Sequence, residues 1–249
     1  MKMDAAAGEE EQNMQCQLEL IDITKSYKGK LALDHFSYGF DAGIYGLLGP
    51  NGAGKSTLMN IITQNLKSDE GRILLNGVEA QKLKQRYIAH IGYMPQQQSL
   101  YENLTLMRFL YYIAALKGMK KKEAGEQIES LLRDVGLWEE RSRYMGGFSG
   151  GMKQRALVAQ ALLGNPDIII LDEPTAGLDP IQRMGMREMI GKLARDRIVI
   201  ISTHVIADIE AIAKEILMLR KGKLLKKLSP ETDRLNGESL EDMYIRLFG

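Results

Sequence analysis

The sequence predicts an α/β fold: a mostly parallel sheet, an antiparallel β subdomain in front of it, and an α-helical subdomain inserted in the middle. Three observations carry this. After Gly164 strands and helices alternate, the pattern of parallel strands joined by crossover helices. Ahead of Gly49 the chain holds only short strand-like segments, which suit hairpins. Between Leu106 and Gly164 the apolar period is purely helical.

Taken in order, residues 1–16 are polar and acidic without periodicity and read as a mobile tail, which leaves 17–249 as the folded domain. "QLELIDIT", "LALDHFSYGF" and "GIYGLLG" follow as strands. A glycine loop then opens a helix with Leu58, Ile61, Ile62 and Leu66 on one face. "GRILLNG" and "AHIGYMP" are further strands. The helical subdomain, about residues 97–165, has one stripe of Leu106, Phe109, Leu110 and Ile113 ending near Gly118. A second stripe of Ala124, Ile128, Leu131, Leu132 and Val135 ends near Gly136, and a helix runs from "GGFSGG" to Gly164. The strand "DIIILD", a helix from Pro180, the strand "RIVIIST" and a short helix to about Lys214 complete the alternation. "EILMLRKGKLL" reads as an edge hairpin. In the last helix Ser239 and Asp242 form a capping box ahead of Leu240, Met243, Tyr244, Leu247 and Phe248. Met184, Met186 and Met189 are expected to pack a helix, and His35 and His90 to be structural.

Bulk properties narrow the function. The 249 residues carry a formal net charge of +1, without the basic excess typical of nucleic-acid binders, so no nucleic-acid partner is expected. A single cysteine, Cys16, excludes an internal disulfide framework and fits a reducing compartment. No apolar run approaches the roughly 20 residues of a membrane helix, and the N-terminus lacks the apolar core of a signal peptide. The expectation is a soluble protein whose membrane role, if it has one, comes through a partner.

The chemistry begins with "GLLGPNGAGKSTLMNIIT". Gly49, Pro50, Asn51, Gly52, Ala53, Gly54, Lys55 and Ser56 fit G-x-x-x-x-G-K-[ST], and Thr57 continues the helix start. Glycines leave the backbone N–H groups free to turn inward around phosphate oxygens, and the following helix adds its positive end. Lys55 supplies a point charge to the β- and γ-phosphates, and Ser56 a hydroxyl to Mg²⁺. In "IIILDEP", Asp172 would hold the metal and Glu173 would polarise the attacking water. The bland alternative is a solvated carboxylate pair at a strand end. "FSGGMKQR" repeats the anion-binding pattern at a second helix start, with an ordinary N-cap by Ser149 as its alternative.

The order of the phosphate loop, "YMPQ", "SGGM", "ILDEP", "GLDP" and "STH" resembles the ATP-binding subunit of ABC transporters, from about Gln17 to the end. The resemblance implies a P-loop NTPase core and an ATPase with ATP and Mg²⁺ as cofactors. It further implies two cassettes facing head to tail, each ATP held between one phosphate loop and the partner's signature, here Ser149, Gly150 and Gly151. By the same resemblance Gln96 senses the γ-phosphate and Mg²⁺, His204 contacts the γ-phosphate, Asp179 lies at the dimer interface and Tyr27 stacks on adenine. Each has a plain alternative: a surface glutamine, a lone histidine after a strand, an N-cap ahead of Pro180 and a core tyrosine. The family's common signature is LSGGQ; Phe148 and Met152 depart from it, so phosphate recognition is retained while the contact of the final Gln is not. "SGGM", "YENLTLMRFLYYIAALKG" and "SLEDMYIRLFG" are similar to the branch that exports drugs, antibiotic peptides or lipids. Expected partners are an integral membrane permease, docking between about Gln96 and Gly118 where Phe109, Tyr111, Tyr112 and Ile113 lie, and a second ATP-binding subunit. The protein would then sit on the cytoplasmic face of the membrane. The rival functions are an importer motor and a soluble ABC ATPase acting on ribosomes or DNA.

Overall fold

The computed structural model describes residues 16–96, 101–194, 196–230 and 239–249. The acidic segment read as a tail falls, up to residue 15, outside them. The described chain opens with β1 (Leu18–Tyr27), β2 (Lys30–Phe40) and β3 (Gly43–Leu48), then α1 (Lys55–Ile62). Next come β4 (Glu70–Leu75), β5 (Val78–Glu79), α2 (Ala80–Leu83), α3 (Gln85–Ala89) and β6 (Ile91–Met94). Three longer helices follow: α4 (Leu106–Leu116), α5 (Lys121–Asp134) and α6 (Gly150–Leu162). The chain closes with β7 (Ile168–Asp172), α7 (Pro180–Leu193), β8 (Ile198–Ser202), α8 (Ile206–Glu210), β9 (Glu215–Arg220), β10 (Lys223–Leu228) and α9 (Leu240–Phe248).

The "IIILD" and "IVIIS" runs show why the core sheet lies in the middle. Side chains alternate between the two faces of a strand. On β7, Ile168 and Ile170 enter one apolar cluster while Ile169 and Leu171 enter another. On β8, Ile198 and Ile200 divide from Val199 and Ile201 in the same way. A strand covered on both faces has to be apolar throughout, as parallel strands usually are. Full burial of each such side chain contributes about 1.5–3 kcal/mol.

The central sheet has the order β10-β9-β3-β8-β7-β6, parallel except for the β10 edge, where the expected hairpin forms. A second, antiparallel sheet of order β2-β1-β4-β5 lies in front. Its inward residues Leu20, Ile23, Phe36 and Ile73 share the first cluster with α1 and the near face of the core sheet. On the far face, α7, α8, α9 and part of α6 close the second cluster. Gly46 of β3 permits α8 to lie against the sheet: a Cβ there would stand 2.0 Å from Ile209 Cδ1. Helices α4, α5 and α6 share a third cluster centred on Phe109, Leu110, Ile128 and Leu132.

The structure corrects the sequence reading in several places. Helix α1 ends at Ile62, so Leu66 lies in the following turn and packs half-buried from there. The short β5, α2 and α3 carry too few residues to show a period and were missed. Phe109 is fully buried and belongs to the helical core instead of a docking surface. Met186 is buried and Met189 packs against the core, but Met184 is 51% exposed, because successive helical positions turn by 100°. Cys16, placed at the end of the tail, packs half-buried against the first cluster, and burial pushes its thiol up to about 11. His90 pairs with Asp167, a structural tie. Among the described residues no helix is long and apolar enough to cross a membrane.

Candidate nucleotide site

Parallel strands that end at one edge bring their loops together there. Strands β3, β6, β7 and β8 run in one direction, so the loops after Leu48, Met94, Asp172 and Ser202 meet at the same edge. That edge holds a cleft of ≈ 380 Å³ lined by Asn51 to Thr57, Gln96, Asp172 and Glu173, and by Tyr27, Lys30 and Leu31 from the front sheet.

The loop geometry depends on glycine. Gly54 caps α1 in the left-handed region, at φ 111°, and its side-chain-free Cα lies under Ala32, whose carbonyl oxygen a Cβ would meet at 2.5 Å. No side chain caps α1, so the positive end of this helix is left for a ligand. Lys55 folds back over the loop and donates to the carbonyl of Gly49 at 2.5 Å and of Pro50 at 3.3 Å. Burial lowers its ammonium from the usual range, and the charges of Glu173 and Asp172 oppose that shift. A cation held this way has lost part of its hydration and gains from an arriving phosphate.

The carboxylates sit at the end of β7. Asp172 and Ser202 are register partners on adjacent strands, and both are buried. The Ser202 hydroxyl donates to Asp172 Oδ1. Glu173 has φ 52°, a left-handed conformation that costs a non-glycine residue about 1–2 kcal/mol. Its N–H donates to the carbonyl of Ser202 at 3.1 Å and to the hydroxyl at 3.2 Å, which offsets that strain. Strain retained in a buried turn often marks a functional position. The Glu173 carboxylate lies 2.9 Å from Nδ1 of His204, whose ring is otherwise 67% exposed. Burial, together with the charge of Asp172, pushes the phenol of Tyr93 on β6 up to about 12.

Tyr27 ends β1 at the tip of the β1–β2 hairpin, and Lys28 and Gly29, both at positive φ, make the turn. It is 49% exposed and lines the cleft, which removes the core-tyrosine alternative. Gln96 lines the same cleft and is exposed there, so it is both a surface glutamine and a residue of the site's wall.

The second helix start is elsewhere. Ser149, Gly150 and Gly151 do not line this cleft; Gly151 borders a separate depression with Gln182 and Arg155. Ser149 caps α6 by accepting from Met152 N at 3.3 Å, so the plain N-cap alternative is present in the isolated chain. Asp179 likewise caps α7, accepting from Gln182 N at 2.8 Å. The departures Phe148 and Met152 both pack into the helical cluster, which explains their apolar character. The cleft and the signature are joined through one segment: Ala176 N donates to Glu173 O at 3.1 Å, and Gln154 of α6 reaches Ala176 O at 3.4 Å. Sequence reading named His204 from "STH" and passed over Ser202, whose partner lies 30 residues away.

A glycine cradle opening a helix, a lysine over it and buried carboxylates at the end of β7, one strand beyond β8, define a P-loop nucleotide-hydrolysing cassette. Residues 33–176 match the ABC transporter family. The bacitracin transport ATP-binding protein BcrA of Bacillus licheniformis is 38% identical over 85% of this chain and 69% of that protein. A solved ATP-binding subunit of an ABC transporter superposes with TM-score 0.81 at 30% identity, covering 92% of this chain and 98% of that one. The dimeric cassette MJ0796 in a post-hydrolysis state with ADP and Pi superposes with TM-score 0.77 at 26% identity, over 86% and 98%. The chain therefore belongs to the ABC transporter ATP-binding family and is an ATP-binding, ATP-hydrolysing subunit of such a transporter.

Proposed function

We propose that this subunit drives the export of a drug, antibiotic peptide or lipid-like substrate through a separate membrane permease. The observation that carries the ATPase mechanism is the single cleft that gathers the phosphate loop, Gln96, Asp172 and Glu173 while leaving the signature outside it. The similarity to a bacitracin transport protein supports the substrate class. Residues 17–249 form one ATP-binding domain, with the helical subdomain at about 97–165 supported by its own apolar cluster.

ATP would lie with its phosphates on Gly49 to Thr57 and its adenine against Tyr27. Ser56, Asp172 and Gln96 are oxygen donors on one cleft, a set that fits Mg²⁺, which takes one or two carboxylates along with phosphate oxygens. When bound, Mg²⁺ would neutralise charge developing on the phosphates. Glu173 would accept the proton of the attacking water, held in place by its backbone bonds to Ser202, and His204, 2.9 Å from its carboxylate, would contact the γ-phosphate. A second cassette supplies the missing anion site through its Ser149, Gly150 and Gly151, with Asp179 at the interface.

The permease would dock on the exposed side of α4. Tyr112 and Leu116 are exposed there, and Tyr101 packs edge-on to Tyr112 at 5.5 Å. Exposed aromatic clusters of this kind mark partner surfaces. The subunit would then work peripherally on the cytoplasmic face of the membrane. Cysteines placed at Tyr112 and Leu116, and in separate variants at the exposed Ile245 of α9, are tested against a cytoplasmic loop of the co-purified membrane protein: crosslinks from α4 are expected, and crosslinks from α9 alone would refute this surface.

A further inference from the structure

We infer that Ser202 is a positioning residue for the hydrolytic centre, acting through Asp172. This rests on the reading that Asp172 holds Mg²⁺. Ser202 ends β8 directly across from Asp172, in the register of two parallel strands, and is completely buried. Space alone would accept alanine there. The hydroxyl is placed instead between two groups, donating its proton to Asp172 Oδ1 and accepting the N–H of Glu173 at 3.2 Å. A buried carboxylate without a donor is free to rotate or take up a proton, so this bond fixes the plane of the Asp172 carboxyl and leaves Oδ2 for the cleft. The same oxygen ties Asp172 to the backbone of Glu173, so the metal-holding group and the water-polarising group share one reference point. Partners that orient a metal ligand are commonly worth 10–100-fold in metal affinity or activity.

The experiment follows nucleotide binding as well as turnover. ATP affinity is measured by displacement of a fluorescent ATP analogue, first in EDTA and then across a Mg²⁺ titration, and kcat is measured at saturating ATP. Ser202→Ala should raise the Mg²⁺ midpoint and lower kcat, each by about 10–100-fold, with ATP affinity in EDTA unchanged. Ser202→Thr restores the hydroxyl and should recover both. If Ser202→Ala does not fold, Ser202→Cys carries the same readouts, because a thiol is a weak donor of similar size. A folded variant lacking the hydroxyl that keeps the parental midpoint and kcat overturns the inference. So does a folded Ser202→Thr that restores neither. Asp172→Asn separates the two levels. If it leaves the Mg²⁺ midpoint unchanged, the metal assignment itself fails; if it shifts the midpoint and Ser202→Ala does not, only the role of Ser202 fails.

Discussion

Two helix N-termini in this chain begin with glycine and hydroxyl residues, and they differ in what satisfies them. Helix α1 begins at Gly54 without a side-chain cap, inside a cleft that also holds Lys55, Asp172 and Glu173. Helix α6 begins at Ser149, which caps its own first turn, on an exposed face lined by neither lysine nor carboxylate of the cleft. The first awaits only an anion. The second is already self-satisfied, so it gains from a phosphate only when another molecule presents one that is already bound. Under the proposed function, similarity between two glycine-rich helix starts conceals a division of labour: the first would bind nucleotide and the second would read one held by a partner.

That contrast breaks most visibly at Glu173. Glu173→Gln should retain Mg·ATP, because Lys55, Ser56 and Asp172 are untouched, while turnover falls by about 10²–10⁴. With its ATP unhydrolysed the variant should elute as a dimer in ATP and as a monomer in ADP. Parental turnover would assign the base to another group; an inactive variant that never dimerises would contradict the shared site. Lys55→Ala comes next. Losing a charge-assisted contact of about 1.5–3 kcal/mol should weaken ATP binding by roughly 10–100-fold, measured by calorimetry, and leave the protein monomeric with either nucleotide.

Tyr27→Ala tests the part of the cleft that the front sheet contributes. By analogy with base stacking, it should reduce ATP affinity by about 1–3 kcal/mol with little change in turnover at saturation. Unchanged affinity would place the adenine elsewhere. The smallest effect on the folded chain belongs to Ser149→Ala. Loss of the cap should cost about 0.5–2 kcal/mol of stability, read from urea unfolding. ATP affinity of the monomer should stay unchanged while dimerisation in the Glu173→Gln background weakens. A Ser149→Ala chain that binds ATP poorly as a monomer would erase the distinction between the two helix starts.

Much of this molecule is legible in its sequence wherever the determining contacts are local. The phosphate loop is one contiguous turn whose glycines are dictated by backbone geometry, and its function reads from eight neighbouring letters. The caps at Ser149, Asp179 and Ser239 each accept an N–H three residues on, so composition alone places them. The all-apolar β7 and β8 identify themselves as strands buried on both faces. Tertiary structure decided whatever depended on which strand lies beside which. Register set Ser202 against Asp172, while the packing of the helical cluster turned Phe148 and Met152 inward and the placing of α6 kept the signature out of the cleft. The physical reason is distance along the chain. A hydroxyl that positions a carboxylate 30 residues away leaves no period, spacing or composition to read, because only the pairing of two strands brings them together.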